Sequence, residues 1–210
     1  MIIKERNIRF AKLISLVLHP VFMPSLGLLV VFNTSVYFNT ILIWQVKSIM
    51  LISVFVLTCL FPILNVVFLY KKEMVRSVYL ETKEERNLPY LFTVIFYILL
   101  YYLLKQLQLP PLFYLLILGS TLAAVLALII NLKWKISAHM IGIGGVIGAV
   151  IGIAERYSEN LNITLMILIL CAGVLGYSRL KLKAHVPAQV YTGFITGLLS
   201  ILLLVLATPA

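Results

Sequence analysis

The chain has 210 residues, of which 62% are hydrophobic and only 11% charged, and its mean hydropathy is +1.09. A soluble domain carries roughly twice that share of charged residues, so the composition excludes one and points to helices in lipid. The net charge is +10 and aspartate is absent, which excludes membrane enzymes that hold Mg²⁺ through Asp-rich motifs.

Read in chain order, seven apolar stretches are long enough to cross the hydrocarbon as helices, over residues 11–32, 49–70, 89–104, 110–131, 139–154, 162–177 and 187–207. The third and fifth are the shortest, about 16 residues each, so one of them is expected to be tilted, partly re-entrant or longer than its apolar run. The expectation is an all-α polytopic transmembrane bundle of about six to seven spans, a single integral membrane domain over 1–210. The first stretch is long, contains Pro20 and Pro24 and lacks a clear small-x-small cleavage site, so it reads as a span rather than a cleaved signal peptide. The longest polar segment, Lys71 to Leu88, reads as a helical extension of the second span, laced by charge pairs at i,i+3 and i,i+4. Cys59 and Cys171 both fall inside predicted spans and read as packing residues.

The seven acids are Glu5, Glu73, Glu81, Glu84, Glu85, Glu155 and Glu159, none of them in mid-span, which leaves an ion-coupled transporter little to work with. If the spans alternate, the N-terminus and loops 71–88, 132–138 and 178–186 share one face. That face carries 14 of the 17 Lys and Arg residues; loops 33–48, 105–109 and 155–161 carry Lys47, Lys105 and Arg156. The positive-inside rule puts the basic face in the cytoplasm. Gly144, Gly148 and Gly152, and again Gly193 and Gly197, recur every four residues, the spacing that lets helices approach closely in lipid. Trp44 and Trp134 read as interfacial anchors.

Three basic loops on that face each adjoin a span. In the first, Lys83 and Arg86 lie one helical turn apart, ahead of Pro89. In the second, Lys133, Lys135, Ser137, Ala138 and His139 lead into the glycine-rich helix. In the third, Arg179, Lys181, Lys183 and His185 lead into the last helix, with Pro187 near its first turn. A helix start offers unpaired N–H groups and positive dipole, so two such starts beside Arg and Lys form an anion cradle. Two histidines at the same mouths supply a candidate nucleophile and a candidate acid for phosphoryl transfer. The third histidine, His19, sits in Leu-His-Pro within the first span, has no polar neighbour in sequence and reads as structural.

Ser178-Arg179, followed by five residues and His185, resembles the third signature of the type 2 phosphatidic acid phosphatase family, SRxxxxxHxxxD. Ile136-Ser137-Ala138-His139 resembles its second, PSGH, and the stretch from Lys83 to Pro89 more loosely resembles its first, KxxxxxxRP. The resemblance covers about residues 70–200, a phosphatase-like core, and leaves the first span outside. It implies that His185 attacks phosphorus to form a phosphohistidine and that His139 protonates the leaving group. Arg179, Arg86 and Lys83 would hold the phosphoryl oxygens, with Ser137 and the N–H groups around Ala138 adding hydrogen bonds. No residue aligns with the family's first-motif lysine, since Tyr79 stands there, and Lys83 would supply that charge. The largest departure is Gln189, where the family has an aspartate that orients the nucleophile. Gln189 can still accept a hydrogen bond through its amide oxygen.

Two readings follow. One is an integral membrane phosphatase acting without metal or other cofactor on a lipid phosphate or diphosphate. The other is a non-catalytic relative that binds lipid phosphate or organises lipids. A small channel or transporter is a third, more distant one. The partners implied are membrane lipids, with an anionic lipid phosphate as substrate, and no nucleic acid. The resemblance implies a bacterial inner membrane; family members there often work on its outer face, whereas the charge count puts this motif face inside.

Overall fold

The computed structural model describes residues 2–36 and 42–207, without the side chains of residues 2–6. Residues 37–41 of loop 33–48 and the side chains of Lys4, Glu5 and Arg6 lie outside the described residues.

The protein is an all-α transmembrane bundle. Seven helical segments among the described residues are long and apolar enough to cross a membrane. The first runs over Asn7–Phe32 and is not one helix. Helix α1 (Ile2–Val17) stops before His19-Pro20, a 3₁₀ turn follows at Pro20–Phe22, and α2 (Met23–Phe32) completes the span. Proline has no N–H and forces its predecessor out of the helical region, which is why the break falls here. The second segment joins α3 (Trp44–Phe55) to α4 (Phe61–Lys71) through a π-turn at Val56–Leu60, next to Pro62. Then come α5 (Glu84–Gln106), α6 (Pro111–Lys133), α7 (Ala138–Tyr157), α8 (Asn162–Lys181) and α9 (Pro187–Ala207). Helices α6 and α9 each open on a proline, whose missing donor costs nothing at a first helical position.

The two short apolar runs extend at both ends into full spans, 23 residues for α5 and 20 for α7. The polar segment is a correction: it does not prolong the second span. The helix ends at Lys71, and Glu73 and Leu80 take left-handed backbone (φ 57° and 51°). The Glu85 carboxylate explains the new start. It accepts from the backbone N–H of Arg76 (2.8 Å) and of Thr82 (3.2 Å), while Thr82 Oγ1 accepts from the Glu85 N–H at 3.4 Å. This reciprocal capping box opens α5 and diverts the glutamate from the expected charge ladder. The ion pair found in the segment joins sequence neighbours, Lys83 and Glu84, at 3.9 Å.

Helix α7 is the most enclosed span, packed by α2, α6, α8 and above all α9. The glycines create that last contact from both sides. A Cβ at Gly144 or Gly148 would collide with the carbonyl of Phe194 or Leu198, and one at Gly197 with the carbonyl of Ile141. The matched pairs rise together along both chains, so α7 and α9 run parallel and their N-termini open on one face. Helix α1 packs on α8 and α2 on α7. Between α2 and α8 lies an apolar cleft of about 350 Å³, lined by Leu26, Leu29, Val146 and Leu168 among others.

Candidate functional site

The basic face is built from helix ends. Asn131, buried near the end of α6, donates through Nδ2 to the Lys83 carbonyl (2.7 Å) and to Asn87 Oδ1 (2.9 Å), fixing the start of α5 beside the end of α6. Arg86 then points inward. Its Nε donates to the Leu80 carbonyl at 2.8 Å and Nη1 to the Ile136 carbonyl at 3.3 Å. Lys83 is used differently: Nζ donates to the carbonyls of Leu132 and Lys133 at 3.4 and 3.3 Å. It thus closes the C-terminus of α6, where a cation complements the helix dipole.

Ser137 caps α7 with extended backbone (φ −86°, ψ 99°), and its carbonyl accepts from the N–H groups of Met140 and Ile141. Its side chain is fully buried, yet Oγ meets no partner among the described residues. The N–H groups of Ala138 and His139 are also unpaired among the described residues. Buried polar atoms are nearly always satisfied, and a serine hydroxyl beside two open N–H groups at a helix start is a donor set that can hold an anion.

The third motif is shaped by the end of α8. The Ala184 N–H donates to the Arg179 carbonyl (3.1 Å) and the Lys183 N–H to the Leu180 carbonyl (3.0 Å), with Lys183 left-handed at φ 52°. This Schellman turn closes α8 without the usual glycine and directs His185 inward, where it is 6% exposed. Gln189 lies in the first turn of α9. Its Oε1 accepts from Nδ1 of His185 at 3.0 Å and from the backbone N–H of Val186 at 3.3 Å. A backbone N–H can only donate, so the shared atom is the amide oxygen and Nδ1 carries the hydrogen; Nε2 holds the lone pair. Burial drives the His185 pKa down to about 3, against the opposing pull of the Gln189 hydrogen bond and with help from the charges of Arg86, Arg179 and Lys135. At neutral pH this imidazole is uncharged, as a nucleophile must be.

Arg179 acts electrostatically on His185, His139 and His19 together. Its Nε is buried without a partner among the described residues. Lys135 feels both arginines; burial first, then Arg86 and Arg179, depress its pKa, while Glu81 opposes them. Like charges gathered at a half-buried mouth repel unless an anion neutralises them. On the opposite side, His139 directs Nε2 to the carbonyl of Ser15 at 3.0 Å, and its ring meets that of His19 with centroids 5.1 Å apart.

The structure therefore gathers His185, Gln189, Arg179, Arg86, Ser137, Ala138 and His139 at one mouth, while the Lys83 ammonium is engaged at the end of α6. Two residues were missed as members of the site. Lys135 was visible in the second basic loop, and it is the lysine whose charge reaches His185. His19, which reads as structural in the sequence, joins the group through its ring contact with His139, and histidine before proline in an apolar run is the local sign of a broken helix. Comparisons with family models, curated proteins and solved structures found no match to this chain.

Proposed function

We propose that the protein is an integral membrane phosphatase that cleaves a lipid phosphate or diphosphate through a phosphohistidine on His185. The observation that carries this reading is the neutral His185 ring, held through Nδ1 by Gln189, amid the charges of Arg179, Arg86 and Lys135. Nε2 attacks phosphorus, and the bond from phosphorus to the leaving oxygen breaks. That oxygen takes a proton from the His139 imidazolium, a form that the ring adopts only once the negative phosphate is bound beside it. Water then attacks the phosphohistidine and returns a proton to His139; the P–N bond breaks, freeing phosphate and restoring His185. Arg179, with Ser137 Oγ and the N–H groups opening α7, stabilises the charge that grows on the phosphoryl oxygens.

The apolar cleft between α2 and α8 supports a lipid substrate, because Leu18 on its wall adjoins His19 and Ile143 lies one turn from His139. A hydrocarbon chain lying there would bring its phosphate to the basic mouth. The excess of Lys and Arg favours a cytoplasmic mouth; cysteine labelling of loop 71–88 from outside would reverse that assignment. The second reading, a lipid-phosphate binder without turnover, draws on Gln189, which orients His185 and adds no charge to offset a phosphohistidine.

The deciding experiment is phosphate release by purified protein across a panel of lipid phosphates and diphosphates. Release that disappears in His185→Ala supports the phosphatase. Well-folded protein that binds the lipids and releases nothing at any pH supports the binder and rejects catalysis.

A further inference from the structure

The mechanism above gives the first span no chemical role, yet three observations tie it to His139. First, His19 has the extended backbone of a residue before proline (φ −71°, ψ 140°), and among the described residues no bond returns from its N–H to the Ser15 carbonyl. A helix end leaves its last carbonyls without intrahelical donors, and the one at Ser15 meets Nε2 of His139 instead. Second, the His19 ring stands edge-on to the His139 ring, at an interplanar angle of 79°. Third, helix α7 is recessed to receive the break. A Cβ on Gly142, one turn from His139, would lie 2.6 Å from Cγ of Met23 and 3.5 Å from Cα of Pro20.

A carbonyl oxygen only accepts, so this contact requires the hydrogen on Nε2 of His139 and leaves the lone pair of the neutral ring on Nδ1. The ionisable groups acting on His139 are Arg179 from α8, His19 from the first span and His185 from the loop before α9. None is a carboxylate, so no charged acceptor competes with the Ser15 carbonyl.

We propose that the first span is a working part of the site: the Ser15 carbonyl and the His19 ring hold His139 as the Nε2–H tautomer, making Nδ1 the nitrogen that exchanges the proton with leaving group and water. Ser15 and His19 are positioning residues. The proton exchange rests on the phosphatase reading, whereas the tautomer rests on geometry alone.

Histidine occurs three times in the chain, so isotope-labelled histidine gives three rings, each assignable by a single substitution. Two-bond nitrogen–proton NMR correlations on protein in lipid nanodiscs should show His139 in the Nε2–H form. Pro20→Ala lets α1 run on and reclaim the Ser15 carbonyl, and should shift His139 toward Nδ1–H. His19→Ala should mix the two tautomers and lower phosphate release at least tenfold, while His19→Phe, which keeps a ring against His139, should retain the tautomer and most of the turnover. Wild-type His139 in the Nδ1–H form overturns the proposal, as does a tautomer untouched by His19→Ala. If Pro20→Ala fails to fold, the wild-type and His19→Ala spectra still decide. An Nε2–H tautomer in a protein that cleaves no lipid phosphate removes the catalytic reading and leaves the positioning by the first span intact.

Discussion

The amide oxygen of Gln189 binds the His185 ring and the Val186 backbone N–H at once. One side chain thus caps α9 and sets the tautomer of His185, the proposed nucleophile. Removing it should damage both. Gln189→Ala is expected to cost about 1 kcal/mol of stability as a lost cap and to lower kcat by an order of magnitude or more. Gln189→Glu keeps the reach and adds the missing charge. In a serine protease the change from carboxylate to amide costs about 10⁴ in rate, so the reverse change here should raise kcat and move the acid limb of the pH profile upward. Steady-state kinetics on both variants checks this; a Glu variant slower than wild type would count against an orienting role for residue 189.

Acidification should destabilise the fold through His185. Its folded pKa of about 3 lies below the ordinary value of 6.5, so the unfolded chain binds the proton first. Stability from the neutral ring is fully present above about pH 6.5 and drains away as pH falls toward 3, at no more than about 1.4 kcal/mol per pH unit. Thermal unfolding in detergent between pH 7 and 4 measures the slope. In His185→Asn the slope should flatten, and an unchanged slope would assign the acid sensitivity elsewhere.

The two cations of the first and third motifs should separate in kinetics. Arg179→Ala is expected to lower kcat/KM by about 10²–10³, the usual loss for a group that stabilises transition-state charge, and Arg179→Lys to recover little of it, since a point charge does not replace a planar fork. Lys83→Met loses hydrogen bonds to the end of α6 and should cost about 0.5–1 kcal/mol of stability, with less than a tenth of the kinetic effect. Equal kinetic losses would put the Lys83 ammonium at the phosphate after all.

The helix contact offers a test independent of catalysis. Gly197→Ala drives a methyl into the Ile141 carbonyl and should cost about 1–3 kcal/mol or prevent folding. A Cβ at Gly173 meets nothing within 4 Å among the described residues, so Gly173→Ala should be neutral or stabilising by about 0.5–1 kcal/mol. Melting temperatures of the two variants compare them directly.

Hydropathy made the spans legible, because a lipid-facing helix must be apolar along its whole length. The ends of α5 and α7 were not, since their outer turns carry Glu84, Arg86 and Arg156, which no apolar window includes. The segment after Lys71 misled for a related reason. Alternating Lys and Glu suit a helix face as well as they suit a turn, and only the capping geometry of Thr82 and Glu85 distinguishes the two. Within the site, His185, Gln189 and Arg179 are readable because they lie on one short stretch of chain, 179–189, around the turn between α8 and α9. His19 and Ser15 reach His139 across more than a hundred residues, and nothing local in sequence records that approach.

The glycine seam has a mechanical consequence. Helices α7 and α9 touch backbone to backbone, so no side-chain rotation can slide one along the other. His139 rides at the head of one and His185 just ahead of the other, and the offset between them is therefore a property of the main chain. An opening beside this pair is therefore easier in the walls around it, the broken first span and α8, than between α7 and α9.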